Sequence, residues 1–504
     1  MEGHIGRRRR VALPLFMLIS ATLSFLAYVV LDPVPGGATA SGRLIYQWRR
    51  CQQSSAGRSG DDDPGGAAAR TPTSLKHIVF GIGGAAKKWR HRRGYVELWW
   101  RPEQMRGHVW LDEEPPAGTW PAATSPPYRV SPDASRFGRR AAASRMARIV
   151  VDSFEAAAAA AAAANGTGEE VRWFVMGDDD TVFFPENLVS VLRKYDHEQA
   201  YYVGAPSESV TQNLRHTYGM AFGGGGFAVS YPAAAELAGA IDGCLDRYRN
   251  LLESDERVHA CLSELGIPLT REPGFHQLDI RGDAYGILSA HPVTPLVSLH
   301  HLDVIKPISP QGRTPLDAVR TLVDAAHLDP ARSLQQAFCY HHDDGSNNNW
   351  SVSVAWGYAA QVYLWAVPAH ELEVPLRTFR PFWGKPDGPF MFNTRPWKPD
   401  DACARPLAFF LSHARNETTD GEAMAAATVT EYSRKTEEKE CDKPSFRSAA
   451  AIQTVRVLAP KMGPADWERA PRRQCCKTAW DGRGSVLEVR IGQCRRGELA
   501  VSTP

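Results

Sequence analysis

The stretch "RWFVMGDDDTVFFPENLVSVL", Arg172–Leu192, sets three consecutive aspartates at the end of a strand-like run. The apolar and aromatic residues up to Met176 are typical of a buried strand. Pro185 then predicts the first turn of a helix with an apolar stripe, so the aspartates lie in the turn between the two elements. Because ligands bind at the carboxyl ends of strands in open α/β sheets, this turn is a candidate functional site.

The spacing of the aspartates favours a metal site over a structural role. In an extended turn, Asp178 and Asp180 point to one side and Asp179 to the other. Two convergent carboxylates suit a hard divalent cation, Mg²⁺ or Mn²⁺, which also removes their mutual repulsion. The simpler interpretation is a loop whose acids cap the following helix. Three acids directly after a buried strand favour the metal site. A second triplet, Asp61–Asp63, follows no strand and predicts no chemistry.

The composition excludes some classes of protein. The chain has 504 residues, of which 43% are hydrophobic, enough for a sizeable core and two or three domains. Its net charge is only +2, so no strong field favours nucleic acid, and we expect no nucleic-acid partner.

The N-terminus predicts a membrane anchor. Val11–Leu31 is a run of 21 residues without a charge, and at ~1.5 Å per residue a helix of that length is about 31 Å long, enough to cross a bilayer. Arg7–Arg10 precede it, so residues 1–10 should stay cytosolic and the rest luminal. The alternative is a signal peptide cleaved near Ala38–Ala40. Either interpretation sends the chain into the secretory pathway.

The remaining chain divides by composition. Residues 32–74 are rich in small and polar residues and are expected to form a flexible stem. Strand and helix signals alternate over residues 75–310, which predicts an α/β domain. Residues 311–410 continue this region, and residues 411–504 are β-rich; five of the nine cysteines lie beyond residue 400. In an oxidising lumen those cysteines predict disulfides in a C-terminal module. Three Asn-x-Ser/Thr triplets, starting at Asn165, Asn349 and Asn416, agree with that compartment.

The central region resembles a known family. The quoted stretch, extended to Asp196, resembles the donor-site segment of fringe-like, family 31 glycosyltransferases. The similarity continues over roughly residues 75–410 through the segments "YYVGAPSESVTQN", "YGMAFGGGGFAVSYP", "SDERVHACLSELGIPLTREPGFHQLD" and "HPVTPLVSLHHLD". Together they resemble the plant family of fringe-related proteins that carries a domain of unknown function. The resemblance implies a GT-A fold, a single-pass type II Golgi membrane protein, and metal-dependent, inverting sugar transfer.

The resemblance also assigns roles to the metal site. Asp180 matches the last acid of the family's D-x-D motif, the direct metal ligand, and Asp178 matches its first. His301 matches the histidine that completes the site, with His300 as the adjacent alternative. The implied cofactor is Mn²⁺, or Mg²⁺, and Asp178 and Asp179 would contact the donor, a UDP-sugar.

Two further segments carry roles by resemblance. "FGGGGF" matches a turn that lines the sugar pocket, so Gly224 and Gly225 are expected at the donor; a flexible loop is the simpler interpretation. Asp255 falls on the position of the catalytic base, which takes the proton of the acceptor hydroxyl. From the sequence alone, capping of the helix that starts there explains such an acid. Glu256 departs from the family's commoner Asp.

The expected function is transfer of a hexose or N-acetylhexosamine from a UDP-sugar to a hydroxyl of a glycan or glycoprotein, forming a β-1,3 bond. The alternative is a catalytically inactive glycan-binding protein with the same fold, since fold alone does not prove function. A third interpretation, a metal phosphohydrolase, lacks the further acid and histidine motifs it needs. The basic cluster Lys87–Arg93 could approach the nucleotide or could be a solvated face.

Overall fold

The computed structural model describes residues 71–499, with gaps at 139, 166–167, 311, 313, 343–348, 418–426, 437–440, 444–445, 447–448, 469 and 481–482. The predicted anchor Val11–Leu31, most of the predicted stem and Cys51 lie outside the described residues. Within residues 71–499 and outside those gaps, no helix has the length and apolar character needed to cross a membrane.

Eleven strands precede residue 300 in the described chain. They are β1 (Ile78–Gly83), β2 (Arg106–Leu111), β3 (Tyr128–Val130), β4 (Trp173–Asp178), β5 (Val182–Phe183), β6 (Tyr202–Gly204), β7 (Phe227–Ser230), β8 (Leu269–Arg271), β9 (Phe275–His276), β10 (Ile280–Gly282) and β11 (Ser298–Leu299). Seven of them form one mixed sheet in the order β3-β2-β1-β4-β7-β6-β8, and a small sheet has the order β5-β11-β9.

Helices cover both faces of the large sheet. In the described residues they are α1 (Ala86–Glu97), α2 (Ala141–Ala163), α3 (Pro185–Leu192), α4 (Val210–Arg215), α5 (Tyr231–Arg247), α6 (Ser254–Glu264), α7 (Tyr285–Leu288), α8 (Pro315–Leu328) and α9 (Ala369–Leu372). Short 3₁₀ helices lie at Leu75–His77, Ser135–Phe137, Pro330–Arg332, Ala402–Ala404 and Pro464–Trp467. The predicted α/β architecture is confirmed.

The alternation of side chains along β1 shows why the sheet is buried on both faces. Ile78, Phe80 and Ile82 belong to one core cluster, whereas Val79 belongs to the cluster on the opposite face. Successive residues of a strand point to opposite faces, so a strand that is apolar at every position needs cover on both. The predicted strand before the aspartates is β4, and the predicted helix begins at Pro185.

The second half of the described chain is a closed barrel. Its strands and one further strand are β12 (Gln336–His342), β13 (Asn349–Ala355), β14 (Ala359–Tyr363), β15 (Phe379–Pro381), β16 (Leu407–Glu417), β17 (Ala427–Arg434), β18 (Thr454–Pro460), β19 (Cys475–Ala479) and β20 (Val486–Gly492). The barrel order is β12-β13-β14-β16-β17-β18-β20-β19. Strand β15 is not part of the barrel and pairs with β10 instead. The barrel takes strands from both sides of residue 410.

Disulfides support both halves. The predicted bridges in the C-terminal region are present, since Cys403 pairs with Cys441 and Cys475 with Cys494. Two other bridges were not expected. They are Cys339–Cys476, which joins β12 to β19, and Cys244–Cys261, which joins α5 to α6.

A buried ion pair links the barrel to the segment that precedes it. Arg332 and Asp329 are each 1% exposed, and Nε of Arg332 donates to Oδ2 of Asp329 over 3.0 Å. Arg332 also donates to the side chain of Gln474 and to the carbonyl of Pro460. Asp329 accepts the N–H of Met462 over 3.1 Å. The ion pair itself is buried, and its hydrogen bonds to Gln474, Pro460 and Met462 hold this segment against the C-terminal region.

We expect Arg332→Met to lower the free energy of unfolding by about 3–5 kcal/mol, because Asp329 would keep a buried charge without its partner. Arg490→Met is the matched control: Arg490 is 71% exposed and pairs with Glu488, so its loss should cost about 0–1 kcal/mol. Denaturant unfolding of both variants measures the difference. Equal small losses would contradict the assigned role of the buried pair.

Candidate functional site

The three aspartates lie at the carboxyl end of β4, as predicted. β4 ends at Asp178, and the hydroxyl of Thr181 accepts the N–H of Asp178 over 2.8 Å. The same hydroxyl donates to the carbonyl of Gly224 over 2.7 Å. Asp179 is 4% and Asp180 1% exposed, while the side chain of Asp178 is 34% exposed. The turn is thus held rigidly with its carboxylates packed together.

Two of the carboxylates converge on a histidine. Nε2 of His300 lies 3.2 Å from Oδ1 of Asp180 and 3.8 Å from Oδ2 of Asp178. One possible ligand atom from each of the three residues lies within 4.8 Å of the others. A second grouping in the described chain contains Cys403 and Cys441, but these are joined as a disulfide. Asp178, Asp180 and His300 are therefore the set with the spacing of a metal site.

The structure differs from the expected choice of histidine. Nδ1 of His301 lies 3.2 Å from Oδ1 of Asp279, not at the D-x-D carboxylates. His301 has a left-handed backbone, with φ of 56°, which few residues other than glycine adopt. In an extended strand the two rings would point to opposite faces. With this turn they stack, with centroids 3.9 Å apart, and His300 alone reaches Asp178 and Asp180.

An arginine that the sequence did not single out bridges the acids. Arg92, on α1, places its guanidinium 3.0 Å from Asp179 and 3.2 Å from Asp180. Its other nitrogen lies 3.1 Å from Asp303, the acid that follows the two histidines. The basic cluster on α1 was noted in the sequence, but helical spacing alone does not tell which of its members turns inward. Arg92 supplies a positive charge to three carboxylates at once.

The burial and close spacing of these charged groups shift the pKa values of Asp179, Asp180 and His300. Burial raises the pKa of Asp179, and the charge of Asp180 acts in the same direction. Burial also acts to raise the pKa of Asp180, but His300 and Arg92 together hold it below its usual range. For His300, burial disfavours the charge, yet Asp180 and Asp178 raise its pKa above the usual range. His300 therefore carries a proton in this arrangement and must release it to bind a cation.

The glycine turn connects the acids to the opposite wall. A Cβ on Gly224 would collide with the imidazole of His300, so only glycine allows this close approach. The N–H of Gly225 donates to Oε1 of Gln277 over 2.6 Å, and Ser298 donates to the carbonyl of Gly225. The expected positions of Gly224 and Gly225 beside the acids agree with this geometry. Gln277, from the segment "GFHQLD", is a wall residue whose contact was not expected.

Asp255 lies on the far side of the same turn. The N–H of Gly223 donates to its Oδ2 over 3.2 Å. Asp255 and Asp178 line one small cavity, so the candidate base shares a space with one of the candidate metal ligands. Desolvation raises the pKa of Asp255, against the effect of the Gly223 N–H. A carboxylate with a raised pKa in a cavity is suited to accept a proton.

Glu256 is engaged in holding the helix. Its carboxylate accepts the N–H groups of Leu252 and Glu253, each over 3.0 Å, and lies 2.8 Å from Nδ1 of His216. These contacts cap α6, which begins at Ser254 as predicted. Glu256 therefore provides most of the cap, and Asp255 adds to it because its Oδ1 accepts the N–H of Glu256 over 3.1 Å. Only Oδ2 of Asp255 is directed toward the glycine turn.

The comparisons with known proteins identify the class and then the family. A model described as fringe-like matches residues 132–285, which include Asp178, Asp180 and Asp255. The predicted relation to fringe-like proteins is confirmed. The family described as "Protein of unknown function, DUF604" matches residues 212–476, which include both histidines, and the chain belongs to this family.

Two curated relatives are similar over a short segment. A protein named "Beta-1,3-glucosyltransferase" from Homo sapiens is 31% identical over 120 residues, and one of the same name from Mus musculus is 30% identical over 120 residues. In both cases the alignment covers 22% of this chain and 22% of the relative. The chain thus matches about a fifth of the length of these relatives.

We expect Gly224→Ala to lower the free energy of unfolding by about 1–3 kcal/mol, because the new methyl group must displace the ring of His300. Gly239→Ala is the control. Gly239 is exposed on α5 with open space around the position of a Cβ, so alanine should be neutral or stabilise by up to about 1 kcal/mol. Denaturant unfolding distinguishes the two, and a Gly224→Ala protein as stable as the wild type would refute the close contact.

Proposed function

We propose that this protein is a metal-dependent, inverting glycosyltransferase with a GT-A fold. It transfers a hexose or N-acetylhexosamine from a UDP-sugar to a hydroxyl of a glycan or glycoprotein and forms a β-1,3 bond. The linkage is suggested by the name of the two relatives. One observation carries the proposal: Asp178 and Asp180 meet His300 on one side of the glycine turn, and Asp255 lies on the other.

The residues present fit a divalent cation. Asp178, Asp180 and His300 offer two carboxylates and an imidazole within 4.8 Å of one another, a donor set that suits Mn²⁺ and, less well, Mg²⁺. Among the described residues, the ion pairs that these two aspartates and their neighbours Asp179 and Asp303 make within 4 Å come from Arg92 and His300. When bound, the cation would stabilise charge on the diphosphate of the donor.

The other steps fall to groups of the chain itself. Arg92 would exchange carboxylates for phosphate oxygens, since a guanidinium binds both. The glycine turn lets the sugar approach the backbone closely. Asp255 would take the proton of the acceptor hydroxyl as that oxygen attacks the anomeric carbon, and the bond to the UDP oxygen breaks on the opposite face, which inverts the configuration.

The compartment also belongs to the proposal. We propose a Golgi membrane location with the catalytic part luminal, on the strength of the uncharged N-terminal run and the cysteine content. Disulfides between described cysteines are consistent with an oxidising lumen.

The test of the function is a donor screen. Full-length protein in mild detergent would be incubated with a panel of UDP-sugars and Mn²⁺, with and without EDTA, and release of UDP measured. We expect slow release from one donor, abolished by EDTA. Binding of glycans without any metal-dependent binding or hydrolysis of a UDP-sugar would instead support the inactive glycan-binding protein.

We expect Asp255→Asn to reduce sugar transfer by about 10²–10⁴-fold while metal-dependent donor binding stays close to that of the wild type, because the amide cannot accept the proton. The matched control is Asp246→Asn, since Asp246 is a surface residue of α5 that pairs with Arg249. Transfer assays and UDP titrations measure the two effects separately. Near-wild-type transfer by Asp255→Asn would exclude Asp255 as the base.

A further inference from the structure

A tryptophan is exposed beside the candidate site. Trp383 is 53% exposed, although a buried tryptophan side chain is usually among the most stabilising in a protein. Among the described residues, only seven large hydrophobic side chains are exposed, and three of them are Trp383, Leu214 at 72% and Met391 at 42%. We call these three side chains the Trp383 patch.

The three residues share one corner of the fold. The segment that carries Trp383 and Met391 runs beside α4: the N–H of Val210 donates to the carbonyl of Pro389 over 3.3 Å, and that of Met391 to Glu208 over 2.8 Å. A Cβ on Gly384 would lie 3.3 Å from the side chain of Thr211. Leu214 is three residues further along α4 and so lies on the same helix face as Thr211.

A series of ring contacts connects Trp383 to the metal-ligand set. Its ring packs edge-on against Phe382, with centroids 5.4 Å apart. Phe382 stacks on His301 at 5.2 Å with an interplanar angle of 5°, and His301 stacks on His300 at 3.9 Å. The guanidinium of Arg281 lies 4.4 Å from the centre of the Phe382 ring. Phe382 is therefore fixed, which fixes the start of the segment that exposes Trp383.

Helix α4 connects the patch to the candidate base. Its first turn contacts the Trp383 segment, and His216 directly after its last turn lies 2.8 Å from Glu256, the neighbour of Asp255. Six residues at ~1.5 Å rise make the helix about 9 Å long. Helix α4 therefore joins the segment that carries Trp383 to the residue next to Asp255.

The area and the chemistry of the Trp383 patch indicate which kind of molecule could bind it. With 53% exposure, the indole offers about 130 Å² of flat apolar surface, taking ~250 Å² for a whole side chain. A stable protein interface needs about 800 Å² per partner, far more than three side chains supply. A pyranose ring has one face of C–H groups that matches a single indole, and its hydroxyls can reach charged neighbours such as Arg281 and Lys385.

We propose that Trp383 is the platform on which a pyranose ring of the acceptor glycan stacks. This rests on the proposed glycosyltransferase function and specifies its acceptor side: the acceptor is a sugar, and its apolar face packs on the indole while its reacting hydroxyl lies toward Asp255. Leu214 and Met391 are the other large apolar side chains exposed in this corner of the fold.

The test measures sugar binding directly. Full-length protein in detergent, with UDP and Mn²⁺ present, is mixed with methyl α- and β-glycopyranosides of glucose, galactose and N-acetylglucosamine, and saturation-transfer NMR identifies bound C–H protons. We expect at least one glycoside to receive saturation on one face of its ring. Trp383→Ala should weaken its binding about 10-fold or more, and Trp383→Phe should restore part of it.

The controls separate this inference from the function on which it rests. Tyr231→Ala removes an aromatic ring that is 40% exposed on α5 and should leave glycoside binding unchanged. UDP binding with Mn²⁺ should be the same in Trp383→Ala and the wild type. If the wild type does not bind UDP, the proposed function is wrong. The effect of Trp383→Ala on glycoside binding would still test the stacking platform. Glycoside binding that Trp383→Ala leaves intact, no glycoside binding at all, or a change of oligomeric state in Trp383→Ala would overturn the platform.

Discussion

The repulsion among carboxylates at the end of β4 is the constraint on which the rest of the site depends. At 4 Å and an effective dielectric constant of about 20, each pair of like charges costs about 4 kcal/mol. Asp179 and Asp180 are almost fully buried, so water cannot screen them well. Arg92 and His300 are the cationic groups that the described chain brings against these acids. Helix α1, which carries Arg92, and the segment after β11, which carries His300, must therefore keep their positions for the aspartates to stay together.

The same geometry joins distant parts of the chain in one site. The glycine turn contacts His300 on one side and Asp255 on the other, so a change in this turn would affect both the proposed metal ligands and the proposed base. The pairing of β10 with β15 brings Phe382 against His301, which lies 81 residues earlier in the sequence. The segment after β15 then exposes Trp383 beside the site. The second half of the chain is thus part of the proposed active centre.

Local signals in the sequence predicted those strands and helices whose ends depend only on residues nearby in the chain. The strand before the aspartates, the helix that begins at Pro185 and the start of α6 all follow from apolar periodicity and end signals. The choice between His300 and His301 depends on a left-handed backbone at His301, which no residue type there announces. Which basic residue of α1 faces the aspartates depends on how the helix packs against the sheet, and the sequence of the helix does not show this. Closure of the barrel through β12 and β19, and the Cys339–Cys476 bridge, join residues 137 apart and leave no local signal.

The most direct test of the central claim is a measurement of Mn²⁺ binding in the presence of UDP. Electron paramagnetic resonance of full-length protein titrated with Mn²⁺ should show one bound ion per chain. His300→Ala should weaken that binding at least about 10-fold, because it removes a ligand, whereas His301→Ala should change it much less. Thermal unfolding of both variants shows that the fold is retained. Loss of Mn²⁺ binding in His301→Ala together with full binding in His300→Ala would contradict the assignment of Asp178, Asp180 and His300 as the metal ligands.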